Sequence, residues 1–365
     1  MHTVQDIINI LEDHAPLALQ EDWDNCGLLV GDRQMEVSEI LCTLDVTLDV
    51  VREAIDKGCN LIITHHPIIF GGLKSITGRN DVERCVVEAI KHDVAIYAAH
   101  TNMDNVADGV SGTMAHKLSL VNTRVMAPQS GNLLKLAVYV PQLHVASVRD
   151  AMFAAGAGHI GNYDSCSFSA QGEGSFKALD DTNPYVGEPG KLHFEKETRV
   201  EVILPEFIQN KVVAAMKAAH PYEEVAYDLI ALANKWDNVG LGMVGELESP
   251  MDELQFLELL KSTFGVSVVR HSPLRNKKVK TVAVMGGSGA SYLSSAMASG
   301  ADVFVTGDAK YHEFFIPEDR LVLADIGHYE SEQYTKELFK EIITKKITTF
   351  APRISDTDTN YVKYC

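Results

Sequence analysis

Apolar positions in the first 120 residues switch between a helical spacing and short continuous runs. Val4, Ile7, Ile8 and Leu11 recur at the three- and four-residue intervals of an amphipathic helix, which must end before Pro16. Residues 39–46 read as a strand. Thr47 then stands where an N-cap belongs, and Val50, Val51, Ala54 and Ile55 turn one face of the next helix inward until Gly58 stops it. The cycle repeats with the run Leu61-Ile62-Ile63-Thr64, which ends in His65-His66 and is stopped by Pro67. Asn80 caps a helix with Val82, Cys85, Val86, Ala89 and Ile90 inward, and residues 94–99 form another strand. Such alternation predicts βαβ units around a parallel sheet.

Between residues 121 and 132 the pattern lapses, which predicts a domain boundary. Beyond it, strands are expected over 135–140, 165–171, 200–204 and 226–231. Helices are expected over 145–155 and from Pro205 to about Ala219, and a Gly- and Pro-rich stretch fills 172–190. That order, βαβ twice over, is the ferredoxin-like plan. His-Pro-Tyr-Glu-Glu (220–224) and the strand after it resemble the CutA/PII-type regulatory fold. His144, His159, His193 and His220 fall to the loops and core of this module.

The remaining third repeats the first. Asp237-Asn-Val-Gly-Leu-Gly-Met-Val-Gly245 matches Asp24 to Gly31 with one residue added. Residues 300–308 align with 58–66, and 320–332 with 93–104; both versions of the last block end in His-x-x-x-carboxylate. The expected fold is therefore α/β: a duplicated βαβ-type unit with a pseudo-two-fold, interrupted by an α+β insert. The domains are residues 1–128, 129–233 and 234–365. Open α/β sheets bind ligands at the carboxyl ends of their strands, where His65 and His66 stand. The duplication would bring His65, His66 and Asp104 from one half to face His328 and Glu332 from the other. Three imidazoles and two carboxylates suit a pair of divalent ions, zinc, iron or manganese, as in hydrolytic sites with metals ~3.5–4 Å apart. His100 is better placed as a hydrogen-bonding neighbour or substrate contact, and Asp308 and His312 could line the same cleft.

A net charge of −18 opposes attraction to nucleic acid or anionic lipid, and no apolar run is long enough to span a bilayer. The six cysteines include no Cys-x-x-Cys pair, which fits a reducing, cytoplasmic setting. Gly286-Gly-Ser-Gly289 stands either for a phosphate-cradling turn at a helix N-terminus or for a tight βα turn. Arg79 and Lys310 could meet an anionic substrate, and residues 356–360 read as a tail or strand edge with no assigned chemistry.

Taken together, Asp-Asn-Cys-Gly-Leu-Leu-Val-Gly (24–31), Thr-His-His-Pro (64–67), His-Thr-Asn-Met-Asp (100–104), Gly-Gly-Ser-Gly (286–289), Val-Thr-Gly-Asp (305–308) and His-Tyr-Glu-Ser-Glu (328–332) resemble the Nif-three family. That family is also labelled GTP cyclohydrolase type 2 homologues. The interrupted layout resembles its longer bacterial members, which carry a CutA/PII-like insert. The resemblance implies five metal ligands, falling on His65, His66, Asp104, His328 and Glu332. It further implies a toroidal homohexamer with its sites facing an inner cavity. Two function classes follow: a metal-dependent hydrolase acting on a nucleotide-like or phosphorylated small molecule, or a non-catalytic metal-binding regulator whose insert senses a small molecule.

Overall fold

The computed structural model describes residues 2–348 and 350–365. Its packing divides the chain into two units, Met1–Pro128 with Asn238–Cys365, and Gln129–Asp237. Helix α1 (Val4–His14) opens the first unit with a reciprocal cap: the Thr3 hydroxyl accepts from Asp6 N while the Asp6 carboxylate accepts from Thr3 N. After β1 (Gly27–Val30) come β2 (Ile40–Thr43), α2 (Leu48–Asp56), β3 (Leu61–Thr64), α3 (Asp81–Lys91) and β4 (Ala95–Ala98). Strands β2, β3 and β4 are parallel, with Leu41 beside Ile62 and Ile62 beside Ile96. All three are buried along their whole length, because helices cover both faces of such a sheet.

Short helices α4 (Thr101–Asp104) and α5 (Val110–Lys117) lead into β5 (Val121–Ser130). The expected boundary at 121–132 is thus largely a ten-residue strand. Only Val125 and Met126 of β5 are buried, too few inward positions to print an alternating pattern on the sequence.

The second unit contains β6 (Leu133–Pro141), α6 (Val145–Ala154), β7 (Ser167–Lys177), β8 (Leu192–Pro205), α7 (Gln209–Ala219) and β9 (Tyr227–Ala231). Its sheet runs β7-β8-β6-β9, antiparallel at every pairing. Leu136, Val138, Val200 and Val202 of the sheet pack on Val148 and Met152 of α6 and Val212 and Met216 of α7. β7 and β8 extend further than their apolar residues indicated. Gly172 to Lys177 pair with Leu192 to Glu197 in a ribbon whose residues are mostly exposed, so backbone bonding, not burial, sets its length.

The chain returns with β10 (Lys235–Asp252), α8 (Glu253–Phe264), β11 (Arg270–His271), β12 (Lys278–Val284), α9 (Leu293–Ala298), β13 (Val303–Thr306) and β14 (Val322–Asp325). Helices α10 (His328–Glu332) and α11 (Thr335–Lys346) and strand β15 (Arg353–Ile354) complete it. The first unit therefore holds two sheets, β1-β4-β3-β2-β15 and β11-β14-β13-β12-β10-β5. Each contains three adjacent parallel strands in the same order, β2-β3-β4 and β12-β13-β14. The flanks do not repeat. β1 lies antiparallel on β4, whereas β10, its counterpart by sequence, lies antiparallel on β12. The 18-residue β10 fills the place between β12 and β5, a position for which four-residue β1 has no equivalent. Among the described residues, no helix is long and apolar enough to cross a membrane.

Candidate metal centre

Strand carboxyl ends deliver the cluster. His65 and His66 follow β3, His100 follows β4 with Asp104 one turn further on, and His328 follows β14. Glu332 lies four residues after His328, so α10 turns both side chains to one face. His65, His66, Asp104, His328 and Glu332 all come together. Glu332 Oε2 is 3.1 Å from Nε2 of His66 and 3.1 Å from Nε2 of His328, and those two nitrogens are 3.2 Å apart. His65 Nε2 stands 3.7 Å from Glu332 Oε1 and 3.8 Å from Asp104 Oδ1. The ligating atoms of His65, His66 and His100 form a second group within 4.8 Å of one another.

The other ring nitrogens explain why these atoms converge. Nδ1 of His65 lies 2.9 Å from the Ala99 carbonyl oxygen, Nδ1 of His66 2.7 Å from Asp45 and Nδ1 of His328 2.7 Å from Asp308. His100 repeats the pattern with Asp24 at 2.9 Å. Oxygen acceptors hold the proton on Nδ1, which leaves an Nε2 lone pair aimed inward on each ring. Lone pairs and carboxylates facing one another repel unless a cation lies between them. His65 is fully buried, yet its Nε2 finds no hydrogen-bond partner, and neither does Glu332 Oε2. Buried polar atoms rarely stay unpartnered; imidazole nitrogens and carboxylate oxygens turned on one point in this way fit a metal ion.

Titration follows the same crowding. Without a cation a proton takes that place: burial opposes charge on His66, but Asp45 and the Glu332 carboxylate outweigh it and raise its pKa to about 10. For His328 burial is likewise overcome, by Glu332 and Asp308, and the pKa rises to about 9. Burial also works against charge on Glu332, yet His65, His328 and His66 hold it well below the usual carboxylate range. Burial, reinforced by the Glu332 charge, pushes Asp104 up to about 7.

Several supporting residues escape a reading of the chain. The Asp24 side chain is fully buried and accepts from Thr101 N, from the Thr101 hydroxyl and from Cys26 Sγ as well as facing His100. Asp45 Oδ2 accepts a 2.8 Å hydrogen bond from the Thr359 hydroxyl, and Glu330 accepts one of 2.9 Å from Asn360. The segment after β15 is therefore tied to the cluster, and it is also anchored by Glu53, which receives Ser355, Asp356 N and Thr357. Gly286-Gly-Ser-Gly289 is a tight turn: Gly287 N donates to Ser331 Oγ and Gly289 N to Thr306 Oγ1, so neither is free for phosphate. A Cβ at Gly287 would run into Glu332 Oε1, which makes this glycine the space that Glu332 occupies. Of the other expected residues, His312 meets Tyr311 edge-on and lies tilted against Phe315, and Arg79 hydrogen-bonds Ser75; among the described residues no contact joins either to the cluster. Lys310 heads the turn Tyr311–Phe315, and no side-chain contact ties it to the histidines among the described residues.

The profile of the Duf34/NIF3 (NGG1p interacting factor 3) family matches residues 2–360. A Halalkalibacterium halodurans protein named GTP cyclohydrolase 1 type 2 homolog is 43% identical, over 93% of this chain and 92% of that protein. A Bacillus subtilis protein of the same name is 40% identical, over 98% and 97% respectively. Among solved structures, a Bacillus cereus protein related to NIF3 superposes with a TM-score of 0.86 at 39% identity, covering 100% of this chain and 99% of that one. With profile, relatives and fold in agreement over nearly its whole length, the chain belongs to the Duf34/NIF3 family.

Proposed function

We propose that this chain is a divalent-metal-dependent hydrolase with a two-cation centre, acting on a nucleotide-like or phosphorylated small molecule. His65, His66, Asp104, His328 and Glu332 would hold the cations, Glu332 presenting one oxygen to His65 and the other to His66 and His328. One observation carries the reading: three imidazoles, each with Nδ1 engaged by an oxygen, turn Nε2 towards one buried carboxylate. Two such cations supply Lewis acidity and lower the pKa of a bound water towards ~7. Asp45, Asp308 and the Ala99 carbonyl keep the three rings in the ligating tautomer. Asp24 does the same for His100, whose Nε2 is then an acceptor beside the cluster, able to take a proton from the attacking water. The relatives' name makes GTP the first substrate to try.

The test is elemental analysis with turnover. Protein purified without added metal is expected to carry about two equivalents per chain. Glu332→Ala should lose both, and Asp104→Ala should retain about one. GTP turnover that persists after chelation, or in Glu332→Ala, removes the hydrolase reading. A toroidal homohexamer belongs to the same proposal, and light scattering giving any other stoichiometry rejects it.

A second reading rests on the insert. A groove of about 680 Å³ there is walled by Tyr139, Phe176, Tyr185, Tyr222 and Arg199, a size that suits a small ligand. On this reading the chain is a non-catalytic metal-binding regulator whose CutA/PII-like insert senses a small molecule. Small-molecule binding that is unchanged when Tyr222 and Arg199 are substituted, or metal-dependent GTP turnover by the chain, counts against it.

A further inference from the structure

Trp23 and Phe70 are 59% and 53% exposed, although each is a large apolar side chain. They are stacked, with ring centroids 5.8 Å apart and planes inclined by 26°. Both meet the His100 ring edge-on, each at 6.1 Å. His100 in turn lies 5.1 Å from the His65 ring and 5.4 Å from the His66 ring. One imidazole therefore separates an exposed aromatic pair from the candidate metal ligands.

The pair is held in place. Trp23 precedes Asp24, whose buried carboxylate is fixed by His100 and Thr101. Phe70 follows Ile69, whose carbonyl accepts a 2.6 Å hydrogen bond from Asn25 Nδ2. That bond ties the Trp23 loop to the Phe70 loop, so the rings keep their mutual geometry without a core around them. Fixed π faces beside a reactive centre suit a planar ring. A protein partner is the weaker occupant: aromatic side chains bury ~150–250 Å² each when fully covered, and two half-covered ones offer far less than the ~800 Å² per partner of a stable interface.

We infer that Trp23 and Phe70 form the stacking platform for a heteroaromatic ring of the substrate, placing the bond to be cleaved over His65, His66 and His100. The inference rests on the hydrolase reading for its reacting bond, but ring binding is measurable without turnover. The chain has two tryptophans, and the second, Trp236, stacks on Phe207 in the other unit. Trp236→Phe therefore leaves Trp23 as sole reporter. Guanosine 5′-monophosphate titrated into this manganese-loaded variant should quench Trp23 fluorescence saturably, while ribose 5-phosphate should not. Adding Phe70→Ala should weaken guanosine monophosphate binding about 5- to 100-fold, as expected for losing one stacking partner, with metal content and light-scattering mass unchanged. Phe70→Tyr should restore most of the affinity. Equal binding of the ring-bearing and ring-free probes overturns the platform. So does unchanged affinity in Phe70→Ala, and so does a change of oligomeric mass in that variant, which would give the pair to an interface between copies. Guanosine monophosphate binding by metal-loaded protein that does not turn over GTP counts against the hydrolase reading and leaves the platform standing.

Discussion

Replacing Gly287 by alanine separates two costs that usually arrive together. Gly287 sits at φ +62°, where an L-side chain pays about 1–2 kcal/mol. Its added methyl would also meet Glu332 Oε1, Glu332 Cδ at 3.3 Å and His328 Cε1 at 3.4 Å. Gly300 provides the matched control: its φ is +81°, and nothing lies within 4 Å of a Cβ built there. Gly300→Ala should pay only the backbone cost. For a unit of this size, 1–2 kcal/mol corresponds to a fall in Tm of roughly 2–8 °C. Gly287→Ala should lose at least as much in chelator, because its methyl also presses on the buried Glu332 carboxylate. The difference appears when metal is added. Displacing Glu332 should weaken metal binding by at least the 10- to 100-fold typical of disturbing a ligand's support, so metal raises Tm in wild type and Gly300→Ala but much less in Gly287→Ala. Calorimetry with and without manganese, checked by elemental analysis, measures this. Equal metal stabilisation of the two variants would refute the claim that Gly287 exists to seat Glu332.

Other substitutions probe the support more gently. Thr359→Val removes the hydrogen bond to Asp45 at a cost of about 1 kcal/mol and should lower metal affinity about tenfold, read by competition with a chromogenic chelator. Asp308→Asn, by loosening the tautomer of His328, should cost about 10- to 100-fold in the same assay, and an unchanged value would detach Asp308 from the site. Glu53 gives a pH prediction away from the candidate metal centre. Burial opposes its charge, but hydrogen bonds from Lys57, Ser355 and Thr357 outweigh this and lower its pKa from 4.5 to about 2. A depressed carboxyl stabilises the fold above its unfolded pKa and loses that contribution as pH falls through the folded value. The full fall is worth about 3 kcal/mol and solvent reduces it to about 1–2 kcal/mol. The Tm gap between wild type and Glu53→Gln should therefore be constant above pH ~5 and close towards pH ~2, and a gap independent of pH rejects the assignment.

Local signals made part of this structure readable. A short apolar run stopped by Pro67 identifies a buried strand, and its last residues must lie at the sheet edge, which brought His65 and His66 forward. His328 and Glu332 share a helical face because they are four residues apart, and His100 and Asp104 stand on a turn in the same relation. What stayed hidden depends on distance along the chain. Thr359 meets Asp45 across 314 positions, and nothing near either residue announces the other. Asp24 resembled Asp237 in its motif, but the strands that follow flank opposite sides of their parallel triplets, β1 on β4 and β10 on β12. The two loops consequently serve one region differently: Asp24 holds His100 and Thr101, whereas Asn238 and Gly240 bond the backbone of Ala107 and Asn105. Trp23 and Phe70 gave no period at all, since they belong to loops tied together by Asn25.

The geometry also bears on how many cations the proposed centre takes. Glu332 faces two separate sets of donors: Oε2 faces His66 and His328, and Oε1 faces His65, which also faces Asp104. A single cation beside Oε2 would satisfy the first set and leave His65 Nε2, fully buried and without a hydrogen-bond donor, opposite two carboxylates. That residue of unpaired charge and lone pairs is costly in a low-dielectric site. Water cannot relieve it alone, because one water has two protons and three acceptors surround the point. A second divalent ion meets all three at once. Charge runs the same way: Asp24, Asp45, Asp104, Asp308 and Glu332 stand around the imidazoles, and even with His66 and His328 protonated the carboxylates outnumber the positive rings. The donors behind these side chains are thus oriented as the proposed two-cation centre would require.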